Sequence, residues 1–260
     1  MVIIILVSLL NFIVHLTGTL AYSTRLAGVL SKRLSLSISL SNILSIVSRS
    51  ASVVIIPMLS QSIERDLSSG VGQPVIPSNY FAILGFGILG SVAGILFLER
   101  FVVLLYYTVN SYTTGDNTAL LFIRQVFNRQ KREELNLTIE KSTSFSIEWR
   151  YLFLNMLITL VYTSATLAAI YSAYLVPQYR VTSLSLSFII NGLATLAFVT
   201  IIDPYVSDFT DDAMAGKESF PKFYYRIRRF VVARFMGVLL SLLTFRLFVT
   251  VLVNCIGFVS

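Results

Sequence analysis

Apolar residues fill six long stretches of the chain, and polar segments separate them. Each stretch reaches the roughly 20 residues that an α-helix needs to cross a bilayer. Strict alternation of apolar and polar residues, which marks the strands of a membrane β-barrel, is missing from the sequence. The pattern therefore predicts an all-α polytopic membrane protein with six transmembrane helices. The helices are predicted at residues 2–24, 35–59, 80–108, 151–175, 183–203 and 230–258.

The composition agrees with a membrane protein and removes several classes of site. Hydrophobic residues make up 55% of the chain and charged residues 13%, with a mean hydropathy of +0.79. The single cysteine, Cys255, excludes an internal disulfide bond and a cysteine-ligated metal cluster. The single histidine, His15, removes most histidine-based catalytic and metal sites. We therefore expect a multi-pass protein that uses no cofactor.

Lysine and arginine residues fall almost entirely on one side of the predicted membrane. Fourteen of them lie in the segments after the first, third and fifth helices, whereas Arg65 and Arg180 alone lie in the segments after the second and fourth. Positive residues mark the cytoplasmic side, so both termini are predicted to be extracytoplasmic. The chain then divides into a three-helix repeat at 1–108, a cytoplasmic amphipathic loop at 109–150 and a second three-helix repeat at 151–260.

The two halves show an internal similarity. At an offset of 147 residues Pro57 matches Pro204, and at an offset of 146 residues Arg100 matches Arg246. Because each half has three spans, an odd number, the second half must be inverted relative to the first. Inverted repeats recur in secondary transporters, which bind their substrates between the halves. The similarity therefore predicts a 3+3 inverted repeat.

The stretch NILSIVSRSAS, which begins at Asn42, brings polar side chains into the second predicted helix. At about 100° per residue, Asn42, Ser45, Ser48 and Arg49 fall within one arc of about 120°. An arginine facing lipid at the bilayer centre costs at least ~2.5 kcal/mol, so this stripe is predicted to face a wet cavity or a polar partner. Close helix packing explains the serines alone. A structural ion pair between Arg49 and Glu99 is the remaining alternative.

Other charged residues also lie within the predicted helices. Arg100 and Arg246 add positive charge, and Glu99 is the one clear anion near them. A net-positive polar interior favours an anionic cargo, because the planar guanidinium donates paired hydrogen bonds to phosphate and carboxylate. Glu99 is also a candidate site for coupling transport to protons. Arg234 is expected near the inner end of the sixth helix, where its side chain can reach the lipid headgroups.

Two further motifs have structural explanations. Gly87, Gly90 and Gly94 lie on one face of the third predicted helix, which predicts a close helix contact rather than the dinucleotide site that GFGILG formally matches. The basic and aromatic segment 220–230 is explained by anchoring to anionic lipid. No nucleic-acid partner is therefore expected.

An acidic cluster supports one alternative function. Asp203, Asp208, Asp211 and Asp212 lie at the predicted cytoplasmic end of the fifth helix, where carboxylates can hold Mg²⁺ against a diphosphate. The alternative is therefore a Mg²⁺-dependent membrane transferase acting on isoprenoid diphosphates. A solvated acidic loop explains the same residues without a metal ion.

The stretch HLTGTLAYSTRLAGVLSKRLSLSISLSNILSIVSRSASVVIIPML, residues 15–59, resembles the start of the Amj family of bacterial lipid II flippases. The resemblance is carried by the TLAYS-R--GV run and by the N------SR-A run that follows it. It implies a transporter, not an enzyme, that moves an undecaprenyl-linked peptidoglycan precursor across the bacterial plasma membrane. The matched polar positions are His15, Tyr22, Arg25, Asn42, Ser48 and Arg49.

The resemblance and the charge pattern together predict how the cargo is held. Lipid II has a diphosphate and peptide carboxylates on its headgroup, and a cationic cavity between inverted halves can receive them. Six helices form a small enclosure for that headgroup, so a lateral opening and a homodimer both stay open as alternatives. The predicted substrate-binding residues are Arg49, Asn42, Ser45, Ser48, Arg25, Arg100, Arg246 and His15.

Overall fold

The computed structural model describes residues 2–69, 76–112, 117, 120, 123–124 and 148–258. Over these residues the chain is helical apart from short connections. A 3₁₀ turn lies at Pro177–Tyr179 and a π-helical segment at Phe198–Ile202. The α-helices are α1 (Val2–Leu20), α2 (Tyr22–Ser31), α3 (Leu34–Ser68), α4 (Ile76–Ser111), α5 (Trp149–Leu175), α6 (Arg180–Ala197), α7 (Asp203–Met214) and α8 (Phe220–Phe258).

Six helical stretches of the described chain are long and apolar enough to cross a membrane, which confirms the predicted number and order. Several stretches are longer than predicted, because a helix satisfies its own backbone hydrogen bonds and continues past the apolar core. The predicted cytoplasmic loop, 109–150, lies for the most part outside the described residues. The stretches are Val2–Ser31, Leu34–Ser68, Asn79–Ser111, Trp149–Leu175, Pro177–Met214 and Phe220–Ile256.

The first span is interrupted at Ala21, between α1 and α2. The hydroxyl of Ser23 donates a hydrogen bond to the Leu20 carbonyl, and that of Thr24 donates one to the Ala21 carbonyl at 2.7 Å. Hydroxyl groups that bind backbone carbonyls in this way compete with the helical ladder and bend helices. After this interruption, α2 packs against α3 and α4 and also reaches α7 and α8 of the other half.

The fifth span leaves α-helical geometry at its π-helical segment, Phe198–Ile202. Pro204 follows in the first turn of α7. A proline ring clashes with the carbonyl four residues earlier, here that of Thr200, which disfavours a regular α-helix at this point. The π-helical turn lets the span continue with a local irregularity.

A buried asparagine fixes the first span of each half to the third. The Nδ2 atom of Asn11 in α1 donates a hydrogen bond to the Ile83 carbonyl of α4 at 2.8 Å. In the second half, Nδ2 of Asn155 in α5 donates one to the Phe230 carbonyl of α8 at 2.9 Å. The two donors are 144 residues apart and the two acceptors 147. The same kind of contact therefore recurs in both halves.

Glycines allow the same helices to approach closely. A side chain at Gly90 of α4 would overlap a backbone carbonyl of α1, and one at Gly237 of α8 would overlap a backbone carbonyl of α5. These two glycines are also 147 residues apart. Gly87 and Gly94 lie on the same face of α4 as Gly90, against side chains of α1. The predicted close helix contact is confirmed.

The two halves share one packing order and are joined at both ends of the bundle. In the first half α1 packs on α3 and α4, which hardly touch each other, and in the second half α5 packs in the same way on α6 and α8.

One apolar cluster around Tyr80, Tyr171 and Phe245 joins the halves at one end. Another around Phe209 and Phe230 joins them at the other.

We expect Gly90→Val to destabilise the protein, because the branched side chain must push α1 away from α4. Overpacking of a tight contact costs about 1–3 kcal/mol. Gly85→Val on the same helix is the matched control, since a side chain there meets no atom within 4 Å. The measurement is the temperature at which half of the detergent-purified protein has aggregated. Equal temperatures for the two variants would contradict the close packing of α1 on α4.

Candidate functional site

A cavity of about 490 Å³ lies between the two halves of the bundle. The first half contributes residues of α1, α2 and α3, and the second contributes residues of α5 to α8 and of the π-helical segment. Polar side chains form much of its wall. They are Thr17, Tyr22, Arg25, Ser41, Asn42, Ser45, Ser48, Arg49, Thr159, Tyr162, Thr195, Asp203 and Arg234.

One side of this wall is the polar stripe of α3. The structure brings Asn42, Ser45, Ser48 and Arg49 together there, because helical geometry projects residues three and four apart to one side. Ser48 also donates a hydrogen bond from Oγ to the Val14 carbonyl of α1 at 3.2 Å. The stripe thus faces a polar space between the halves, and its binding role stays a prediction.

Arg49 is exposed at the cavity wall and has no ion-pair or hydrogen-bond partner among the described residues. The alternative ion pair with Glu99 does not form. Glu99 instead accepts a hydrogen bond from the Tyr224 hydroxyl of α8 at 2.6 Å. The Arg49 guanidinium, with its planar set of donors, is therefore free to bind an anionic ligand.

Arg25 forms an ion pair that joins the two halves. Its Nη2 atom lies 2.7 Å from Oδ1 of Asp203, the first residue of α7. A negative charge at the N-terminal end of a helix is stabilised by the helix dipole. The arginine side chain is 12% exposed and the carboxylate 46%, so the pair remains accessible from its acidic side.

Arg234 of α8 also lines the cavity, and its placement differs from the expectation that it reaches the inner headgroups. Because α8 begins at Phe220, Arg234 lies about 21 Å along the helix rather than near its start. Its guanidinium rests against Gly18 of α1, where any side chain would overlap it. The buried Nε atom has no hydrogen-bond partner in the described chain.

Arg234 was not predicted as a cavity residue, because the apolar run predicts that the sixth helix starts at residue 230. A signal was present in the segment 220–229, whose aromatic and basic residues can continue a helix outward from that run. A helix that begins at Phe220 carries Arg234 away from the headgroups and toward the middle of the bundle.

The matched tyrosine, Tyr22, is fixed at the cavity wall by the second half. Its hydroxyl donates a hydrogen bond to Oδ1 of Asn155 at 3.1 Å. The same asparagine donates to the Phe230 carbonyl, so its side chain cannot turn away without losing a second hydrogen bond. Tyr22 and Asn155 are both buried, and the contact links α2 to the α5–α8 pair.

A smaller cavity adjoins the first and is separated from it by Tyr162. This side chain lines both cavities, and its hydroxyl oxygen lies 2.7 Å from Oγ of Ser52 in α3. Asn11, Asn191 and His15 line the smaller cavity. His15, predicted as a substrate contact, is buried here rather than in the main cavity, and its Nδ1 atom has no hydrogen-bond partner among the described residues.

The structure places the other two predicted arginines outside both cavities. Arg100 is exposed on α4, with its guanidinium carbon 5.9 Å from the ring centroid of Phe97. Arg246 is exposed on α8, 5.8 Å from the ring centroid of Phe81. Neither is brought together with Arg49 in this conformation. Glu99, exposed on α4, also lies away from the cavity wall, and its coupling role stays a prediction.

The four aspartates of the acidic segment are spread along α7. Asp203 pairs with Arg25, and Asp212 pairs with Lys217 at 3.1 Å. Asp208 and Asp211 are exposed. Within the part of the chain that the structure describes, no three histidine, cysteine or carboxylate side chains lie close enough to hold a metal ion. The helix therefore does not gather its carboxylates at one point.

Comparison with known proteins gives the family. The family model described as "Amj: Alternate to MurJ" matches residues 10–254. A curated protein of Bacillus subtilis (strain 168), named lipid II flippase Amj, is 32% identical over 242 residues, which cover 90% of this chain and 89% of that protein. No solved structure matches the chain. Since the family model extends over nearly the whole sequence, this chain belongs to the Amj family.

Proposed function

We propose that this chain is a lipid II flippase, which moves an undecaprenyl-diphosphate-linked peptidoglycan precursor across the bacterial plasma membrane. Membership of the Amj family and the activity named for the Bacillus subtilis relative support the proposal. Six stretches able to cross a membrane agree with a multi-pass protein of that membrane. The family points to a transporter, and among the described residues no three histidine, cysteine or carboxylate side chains lie close enough to hold the Mg²⁺ that the transferase alternative requires.

The charge of the cavity wall is the observation that carries the proposal. Arg25, Arg49 and Arg234 line it, and Asp203 is the one carboxylate among the described lining residues. A diphosphate in this space gains charge-assisted hydrogen bonds, which contribute about 1.5–3 kcal/mol each. The Asn42 amide, on the same wall as Arg49, adds a neutral donor. The cavity thus suits the anionic part of a lipid-linked precursor.

Arg25 is the first of these arginines that the cargo meets, because it lies at the predicted cytoplasmic end of the first span. Its guanidinium already binds a carboxylate, that of Asp203. A diphosphate carries more negative charge than that carboxylate and competes for the same donors. When the headgroup enters, the ion pair between Arg25 and the diphosphate therefore replaces the one between Arg25 and Asp203. The contact between the halves that the Arg25–Asp203 pair provides is then lost.

Alternation of two inverted halves then moves the headgroup across the membrane. The recurrence of the asparagine contact of Asn11 at Asn155, and of the glycine contact of Gly90 at Gly237, supports a repeat of the first and third spans. Three spans in each half require the second half to be inverted. With the positive segments inside, both termini are extracytoplasmic.

The hydrogen bond between Ser52 and Tyr162 closes the polar path between the halves in this conformation. It joins α3 of the first half to α5 of the second and separates the main cavity from the smaller one. Beyond it, Asn11 and Asn191 continue the polar wall. The bond must open when the headgroup passes to the other side.

We expect Arg49→Ala to lower the initial rate of lipid II flipping about 10- to 100-fold, since one charge-assisted contact worth about 1.5–3 kcal/mol is lost. Arg49→Lys keeps the charge but not the planar guanidinium, so its flipping rate is expected to lie between those of the native protein and Arg49→Ala. The measurement uses liposomes that contain fluorescent lipid II, with an impermeant reagent to report headgroup exposure in each leaflet.

Arg180→Ala is the control for this prediction. Arg180 is exposed at the start of α6 and does not line either cavity, so its removal is expected to leave the flipping rate within twofold of the native value. If Arg49→Ala has intact helical content and flips lipid II at the native rate, Arg49 does not bind the cargo. The polar stripe of α3 would then have a structural role only.

The predicted orientation is tested with single cysteines in a Cys255→Ser background. Gln178→Cys, in the connection before α6, is expected to react with an impermeant maleimide in intact cells. Ala215→Cys, between α7 and α8, is expected to react only after the cells are permeabilised. Both positions are exposed, so access across the membrane decides the outcome. The opposite pattern would reverse the orientation and place both termini inside.

The transferase alternative predicts a different response from the acidic segment. We expect Asp208→Asn and Asp211→Asn to flip lipid II at the native rate, and EDTA to leave that rate unchanged, because both side chains are exposed and lie outside the cavity. The same liposome assay gives the rates. Loss of activity in both variants together with a requirement for Mg²⁺ would favour an enzyme acting on isoprenoid diphosphates.

A further inference from the structure

The seam between the two halves is closed along one side of the bundle. There α4 packs on α8, the Tyr224 hydroxyl donates to Glu99, and the ring of Phe245 stacks on that of Tyr80 with 5.6 Å between centroids. On the other side, α3 and α6 each pack on the first span of their own half. Over the described residues α3 and α6 hardly touch each other. The seam is therefore open between α3 and α6.

Residues at this opening belong to the cavity wall and to the outer surface at once. Ile46 of α3 lines the cavity and is 63% exposed, and Val199 of the π-helical segment lines it and is 48% exposed. Asn42 and Arg49 are also exposed members of the wall. A side chain can line the cavity and also be exposed on the outer surface only where the cavity reaches the surface of the bundle.

The opening lies between two stretches that are each able to cross a membrane. Ile46 is about 18 Å along α3 from its first residue, and Val199 is about 28 Å along the fifth span from the start of α6. Both positions lie within stretches that are long and apolar enough to cross a membrane. An opening between two membrane-crossing stretches connects the cavity with the lipid around the bundle.

The chemistry of the wall changes across the opening. Ile46, Phe198 and Val199 form an apolar edge, whereas Arg49 and Thr195 are polar members of the same wall. Such a boundary fits an amphipathic ligand with an anionic head inside and a hydrocarbon chain outside. The cavity volume of about 490 Å³ is in the range that takes a drug-sized ligand, so a long hydrocarbon chain has to lie elsewhere.

We propose that the gap between α3 and α6 is a lateral portal, through which the polyisoprenoid chain of the cargo extends into the bilayer while its diphosphate lies against Arg49. The inference rests on the proposed function and adds to it the site of the hydrocarbon chain. The portal is continuous with the cavity that takes the diphosphate. One edge of the portal is the π-helical segment Phe198–Ile202, which follows α6. Single π-helical turns of this kind are frequent at functional sites.

The test replaces Ile46, Val199 or Leu243 by the photoreactive residue benzoylphenylalanine in the full-length protein. Leu243 is the matched control, because it is 75% exposed on α8 and does not line either cavity. Liposomes contain lipid II with a radiolabel in the isoprenoid chain. After irradiation, mild acid cleaves the allylic diphosphate bond, so label that remains on the protein reports attachment through the hydrocarbon chain.

We expect at least fivefold more retained label at positions 46 and 199 than at 243, and we expect excess unlabelled lipid II to reduce it. Equal labelling at all three positions, or labelling that unlabelled lipid II does not reduce, would show that bulk lipid fills the gap and would overturn the portal. Cross-linked protein dimers at position 46 in place of lipid adducts would also overturn it, because a second copy would then cover the opening.

Flipping of lipid II by the native chain is measured in the same liposomes, so that the two proposals fail separately. Native flipping without chain adducts at positions 46 and 199 would contradict the portal and leave the flippase function standing. Absence of native flipping would contradict the proposed function, whatever the adducts show. As a second variant, Ile46→Trp is expected to slow flipping at least fivefold by narrowing the gap, whereas Leu243→Trp is expected to leave the rate unchanged.

Discussion

An arginine in the hydrocarbon region of a membrane has to meet water, an anion or a polar partner, and this requirement shapes the bundle. Arg49 of α3 and Arg234 of α8 come from different halves, and each would cost at least ~2.5 kcal/mol if it faced lipid. Both face the space between the halves instead. The halves therefore cannot close on each other at mid-depth, and their apolar contacts are concentrated at the two ends of the bundle.

The features that the sequence predicts well are local ones. Length and apolar character determine the six spans, and the 3.6-residue period places Asn42, Ser45, Ser48 and Arg49 on one side of α3. Such properties depend on residues that are close in the sequence, so the packing of the helices against each other does not change them. Arg25 also lines the cavity, because it lies on α2, which reaches α7 and α8 of the other half.

The features that the sequence does not predict depend on how helices rotate and where they begin. Arg100 and Arg246 point away from the cavity, because close packing of α4 on α1 and of α8 on α5 sets the rotation of those helices. Arg234 enters the cavity because α8 begins ten residues before its apolar run. A comparison of the two halves at one fixed offset does not detect the matching hydrogen bonds of Asn11 and Asn155. The two donors are 144 residues apart, whereas the two acceptors are 147 residues apart.

Gly18 and Arg234 are distant in the sequence but share one volume in the folded protein, and this has an evolutionary consequence. The guanidinium occupies the space that any side chain at position 18 would need. A side chain at position 18 therefore requires the guanidinium of Arg234 to move from its place against α1, or the side chain at 234 to be shorter. Among relatives, the two positions are expected to change together. A lineage that has exchanged both will have moved one positive charge of its cavity elsewhere or lost it.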